Sequence, residues 1–149
     1  MEIIMQVLVV MQGPSGGGKS TVANQHLKPL LESLGCEVVV LSTDDQFKVD
    51  GVYKFDPTKL GVYHAINVKL AHKALEEGKS VIVDNTNTQC WEARPYVEKA
   101  VELGVPVSFH RCNAKFDNVH GVPSNKVEQM RDRLQTLTVE AVMASKKPF

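Results

Sequence analysis

Gly13-Pro14-Ser15-Gly16-Gly17-Gly18-Lys19-Ser20 is the stretch whose setting decides the fold. It satisfies the pattern G-x-x-x-x-G-K-[ST], which carries information only between a strand and a helix. Ahead of it, Val7 to Met11 is a continuous apolar run bounded by Gly13-Pro14, as expected of a strand buried on both faces. Behind it, Ala23, Leu27, Leu30, Leu31 and Leu34 recur at helical spacing until Gly35, and Pro29 is expected to kink or split that helix. The combination predicts a phosphate cradle. Gly13, Ser15, Gly16, Gly17 and Gly18 turn backbone N–H groups toward phosphate oxygens, helped by the positive end of the helix that starts near Lys19. Lys19 is expected to reach the β- and γ-phosphates of ATP, Ser20 to coordinate Mg²⁺, and Thr21 to add a further phosphate contact.

The rest of the chain repeats the alternation. Val38 to Leu41 predicts a second strand, ending in Ser42-Thr43-Asp44-Asp45. A loop from Gln46 to Lys59 leads to a helix whose apolar face runs Tyr63, Ile66, Leu70, Ala74 and stops at Gly78. Val81 to Asp84 is the next strand, and Asn85 to Thr88 the loop before a helix from about Gln89 to Leu103, with Ala93, Val97 and Ala100 facing the core. Val105 to Cys112 predicts a fourth strand, Asn113 to Pro123 a lid-like loop, and Val127, Met130, Leu134, Leu137 and Ala141 a last helix. Strands alternating with helices imply a three-layer α/β fold with a mostly parallel sheet of four to five strands, ligands binding at the strands' carboxyl ends. With 149 residues and no linker, the chain reads as one domain.

Two acids fall at those carboxyl ends. Asp44 can accept the proton of an attacking hydroxyl and align its oxygen for in-line transfer, whereas Asp45 suits a helix cap. Asp84 can hold Mg²⁺ directly or through water. Capping a short helix near Gln46 is the ordinary alternative for Asp44, and an Asx turn with Asn85 and Thr86, compatible with metal binding, that for Asp84.

The segments Gly13 to Thr21, Ser42-Thr43-Asp44-Asp45, Tyr53-Lys54-Phe55-Asp56, Ala65-Ile66-Asn67 and Val83-Asp84-Asn85-Thr86-Asn87 together resemble the polynucleotide 5′-hydroxyl kinases among the P-loop kinases. Trp91-Glu92, Pro95-Tyr96-Val97 and Asn118 to Pro123 extend the similarity over most of the chain. The resemblance implies a P-loop NTPase fold of the nucleoside-monophosphate-kinase type. It also implies transfer of the ATP γ-phosphate to a hydroxyl, with Asp44 matching the general base and Lys19 and Ser20 the phosphate and Mg²⁺ ligands. Two positions depart from it. Phe47 stands where these kinases usually carry an Arg for the acceptor's phosphate, and Asp117 where a lid Arg usually neutralises transition-state charge. Among Arg111, Lys115, Arg131 and Arg133, Arg131 is the first choice for the missing catalytic cation, since a helix after the lid can aim it back at the phosphates.

Composition narrows the partners. Lys plus Arg and Asp plus Glu are equal at 17 each, so any nucleic-acid contact must come from a local patch and not from a net field. Cys36, Cys90 and Cys112 show neither CxxC spacing nor a disulfide framework, which predicts a reducing, cytoplasmic setting. The apolar opening from Ile3 is too short to span a bilayer, so no membrane is expected. Three functions stay open: a kinase for 5′-OH nucleic-acid ends, a kinase for a small hydroxylated metabolite or nucleoside, and a nucleotide-dependent binding module with little transferase activity. Oligomeric state is left open.

Overall fold

The computed structural model describes residues 5–13, 18–43, 48–49, 52–53, 56–87, 89–112 and 136–147. Four strands, β1 (Leu8–Gln12), β2 (Val38–Leu41), β5 (Ser80–Val83) and β6 (Val107–Arg111), form a parallel sheet in the order β2-β5-β1-β6. The strand that leads into the glycine-rich loop is therefore central. Its residues alternate between two cores. Leu8 and Val10, with Val81 and Val83, pack beneath α3 (Leu60–Glu76), α4 (Cys90–Leu103) and α5 (Val139–Ala144). Val9, Met11 and Ile82 pack against Ala23, Leu27 and Leu31 on the opposite side. Those last three belong to a helical run made of α1 (Lys19–Val22), a π-helical turn (Ala23–Leu27) and α2 (Lys28–Ser33). The result is the three-layer arrangement expected.

Pro29 explains the π turn. It has no N–H to offer the carbonyl four residues back, and its ring crowds that carbonyl. The Lys28 N–H instead bonds to the Ala23 carbonyl five residues earlier, which widens the turn without ending the helix.

Three expectations change. The stretch from Gln46 to Lys59 is not all loop: β3 (Lys48–Val49) and β4 (Val52–Tyr53) pair antiparallel, and Pro57–Lys59 is a 3-10 turn. The inward face of α3 is Asn67, Ala71, Ala74 and Leu75, while Ile66 and Leu70 are 38% and 41% exposed. That face lies one residue, about 100°, from the apolar one, because Asn67 takes a core position through a hydrogen bond to Tyr96. Leu137 is buried but precedes a helix that begins at Val139, where the Thr138 hydroxyl accepts from the Ala141 N–H, and the earlier positions Val127, Met130 and Leu134 lie outside the described residues. Near the end of the chain, Lys147 lies 5.9 Å over the Trp91 ring.

Tyr96 joins three elements. Its hydroxyl accepts from Asn67 Nδ2 at 2.9 Å and Asn85 Nδ2 at 3.4 Å, and burial raises its pKa while those two bonds oppose the rise. Tyr96→Phe is expected to leave buried amides short of a partner and cost about 1–3 kcal/mol, read as a lower denaturation midpoint in urea.

Candidate nucleotide site

The site is built where β1, β5 and β6 end side by side. Gly13 leaves β1 at a point with no room for a side chain: a Cβ there would lie 2.1 Å from the Cys112 carbonyl oxygen. The Cys112 N–H also bonds to the Gln12 carbonyl at 2.7 Å, so neither backbone can retreat without breaking the pairing of β1 and β6. Gly13→Ala is expected to cost about 1–3 kcal/mol of stability by overpacking and to abolish the rise in melting temperature that ATP gives, as read by thermal unfolding with and without nucleotide.

Gly18 opens the helix with φ of 86°, a left-handed conformation that costs glycine little. The helix then presents Lys19 and Ser20 over the strand ends. Ser20 Oγ donates to Asp84 Oδ2 at 2.6 Å, although the two residues lie 64 apart in sequence. Asp84 is 6% exposed, and its N–H bonds to the Leu41 carbonyl at 2.8 Å, so the end of β5 is tied to that of β2. The Lys19 charge reaches the same place: burial raises the pKa of the Cys112 thiol, Lys19 lowers it and Asp84 raises it. An ammonium and a carboxylate thus flank the end of β6, with a hydroxyl on the carboxylate. The carboxylate and the hydroxyl are hard oxygen donors of the kind Mg²⁺ prefers, and they fit that ion next to a polyphosphate.

Buried amides hold this edge in shape. Asn87, with φ of 45°, donates through Nδ2 to the Met11 carbonyl at 2.7 Å. Gln12 Nε2 donates to the Asn87 carbonyl at 3.2 Å, and the Gly13 N–H to that of Thr86 at 2.9 Å. Arg111 Nε donates to Gln12 Oε1 at 2.9 Å. On the far side of β5, the Thr43 N–H donates to Asn85 Oδ1 at 2.9 Å, and Thr43 Oγ1 lies 3.0 Å from His64 Nδ1. Sequence alone assigns no role to His64 or Gln12. The available signal for Gln12 was a polar residue closing an apolar strand just before the glycine-rich loop.

Of the residues assigned from sequence, Gly13, Gly18, Lys19, Ser20, Thr21 and Asp84 lie at this edge. Ser15, Gly16, Gly17, Asp44 and Arg131 lie outside the described residues, as does the lid-like loop. No helix among the described residues is long and apolar enough to cross a membrane.

Comparison with known proteins agrees with this fold. The family model AAA_33, described as an AAA domain, matches residues 8–147. NEDD4-binding protein 2 of Homo sapiens is 36% identical over 153 residues, covering 95% of this chain, which spans only 8% of that protein. Among solved structures, Chaetomium thermophilum Kti12 in complex with ADP-AlF3 has a TM-score of 0.64 at 16% identity, covering 87% of this chain and 80% of that one. The Mycobacterium tuberculosis APS kinase CysC in complex with AMPPNP and APS has a TM-score of 0.56 at 20% identity, covering 85% and 69%. The Pnkp1/Rnl/Hen1 RNA repair complex gives 0.55 at 18% identity, covering 95% and 43%. The fold is that of the P-loop NTPases, in its kinase-like form.

Proposed function

The chain belongs to the AAA domain family with a P-loop kinase-like fold, and from that premise we propose that it transfers the γ-phosphate of ATP to a hydroxyl, the 5′-OH of a polynucleotide. The observation that carries the proposal is the 2.6 Å contact between Asp84 and Ser20, the residue that follows Lys19. In this reading, the loop amides from Gly13 to Gly18, with Ser15, Gly16 and Gly17 among them, bind the polyphosphate. Lys19 and Thr21 add their side chains. Ser20 and Asp84 would hold Mg²⁺, which when bound offsets charge between the β- and γ-phosphates. Asp44, one peptide bond from Thr43, takes the proton of the attacking hydroxyl. The acceptor's hydroxyl oxygen bonds to the γ-phosphorus as the bond to the bridging oxygen breaks and ADP leaves. Arg131 supplies the cation for the transferring phosphoryl group.

The motif series favours a nucleic-acid acceptor. A small hydroxylated acceptor is the second reading, favoured by Phe47 in place of an acceptor-binding Arg. An acceptor panel separates them: with ATP and Mg²⁺ saturating, a 5′-OH oligonucleotide is expected to be phosphorylated with a higher kcat/KM than any nucleoside or small alcohol. The reverse ranking would establish the second reading. Cys36, Cys90 and Cys112 are buried and outside any disulfide among the described residues, which supports a cytoplasmic setting.

A further inference from the structure

From Pro57 to Leu75 the sequence holds no Asp or Glu, although acids and bases balance over the whole chain. This stretch is the 3-10 turn and nearly all of α3. The rotation of the helix that buries Asn67 turns a different face outward: Val62, Ile66, Lys69 and Lys73 recur at four, seven and eleven residues, with Lys59 and Leu70 beside them. All six are exposed, Val62 at 59%. The stripe from Lys59 to Lys73 is about 21 Å long at the rise of an α-helix.

The nearby acids are engaged elsewhere. Glu76 bonds to Lys99 at 2.8 Å, and Glu77 to Lys79 at 3.2 Å. Asp56 accepts from the Thr58 N–H and hydroxyl at 3.0 and 2.6 Å. Lys69 and Lys73 make no ion pair among the described residues. The amino end of α3 also adjoins the candidate site, since His64 meets Thr43 at the end of β2.

We propose that this face of α3 is the track for the single-stranded nucleic acid that trails from the reacting 5′ end. The inference rests on the kinase reading and names where its acceptor lies. Lysines separated by apolar side chains suit a strand whose phosphates are charged and whose unstacked bases offer apolar faces. A polyanion is the complement of a stripe with three ammonium groups and no carboxylate between Lys59 and Lys73, and the contact of the amino end of α3 with Thr43 makes the acceptor of the candidate site its occupant.

The test is Lys69→Glu/Lys73→Glu, with Lys69→Ala/Lys73→Ala as a milder pair. Binding of a 3′-fluorescein single-stranded oligonucleotide with a free 5′-OH is followed by anisotropy across salt concentrations. Phosphorylation of that oligonucleotide is compared with that of a dinucleotide. The charge reversal is expected to weaken oligonucleotide binding at least about tenfold. It should also flatten the dependence of log K on log salt by about 1.4, two contacts at about 0.7 each, and remove most of the oligonucleotide's KM advantage over the dinucleotide. ATP affinity serves as the check on folding.

Wild-type transfer with unaltered oligonucleotide binding in both variants would overturn the track and leave the kinase reading standing. Lysine-dependent binding without any transfer would keep the track and remove the kinase reading. Failure of the wild-type chain to bind the oligonucleotide would overturn the track, as would lysine-dependent capture of phosphatidylserine vesicles or polyglutamate in its place.

Discussion

Asp84→Asn is expected to lower kcat/KM for phosphoryl transfer by about 10²–10³, in the range measured when one preorganised electrostatic group is lost. The change is nearly isosteric at a residue only 6% exposed, so the fold should survive and the loss should be one of charge. Ser20 now donates to a carboxylate, and an amide in that position accepts more weakly and brings no negative charge to a divalent ion. The deficit should therefore lessen as Mg²⁺ is raised. The measurement is the initial rate against Mg²⁺ at fixed ATP. The wild type should saturate at low Mg²⁺ and the variant at a concentration many times higher.

The second large effect is expected of Asp44→Asn, which should reduce kcat by about 10²–10⁴, the range for a positioned general base. The ATP affinity should change little, because the carboxylate is assigned to the acceptor hydroxyl and not to the polyphosphate. Its neighbour Thr43 is 4% exposed and pinned to Asn85 at 2.9 Å, giving the chain a fixed point from which to enter Asp44. Single-turnover rates with preloaded ATP would separate a lost base from weakened binding. A variant that binds ATP normally and retains wild-type turnover would remove Asp44 from the reaction.

The architecture was legible because buried parallel strands leave an unbroken apolar run, as Val7 to Met11 and Val81 to Val83 do, and because Gly35, Gly78 and Gly104 mark helix ends. The face of α3 was not, since periodicity counts apolar letters and this helix buries an asparagine and two alanines while exposing Ile66 and Leu70. Only the tyrosine hydroxyl supplied by α4 makes Asn67 a core residue, and that pairing spans 29 positions. The hairpin of β3 and β4 was hidden for another reason: two-residue strands carry too little alternation to stand out from a loop.

The candidate site divides along the same line. Lys19, Ser20 and Asp84 follow from a motif and from an acid closing an apolar strand. Their contact across the sheet depends on β5 lying beside β1, an adjacency that the order of elements alone does not state. The supporting amides of Gln12, Asn85 and Asn87 bond mostly to distant backbone, which no local spacing announces.

The most direct measurement follows the labelled γ-phosphate of ATP during incubation of the chain with Mg²⁺ and a 5′-OH oligonucleotide. The account predicts label on the oligonucleotide in amounts equal to the ADP formed. Label recovered wholly as inorganic phosphate, or ATP bound and never broken down, would contradict it.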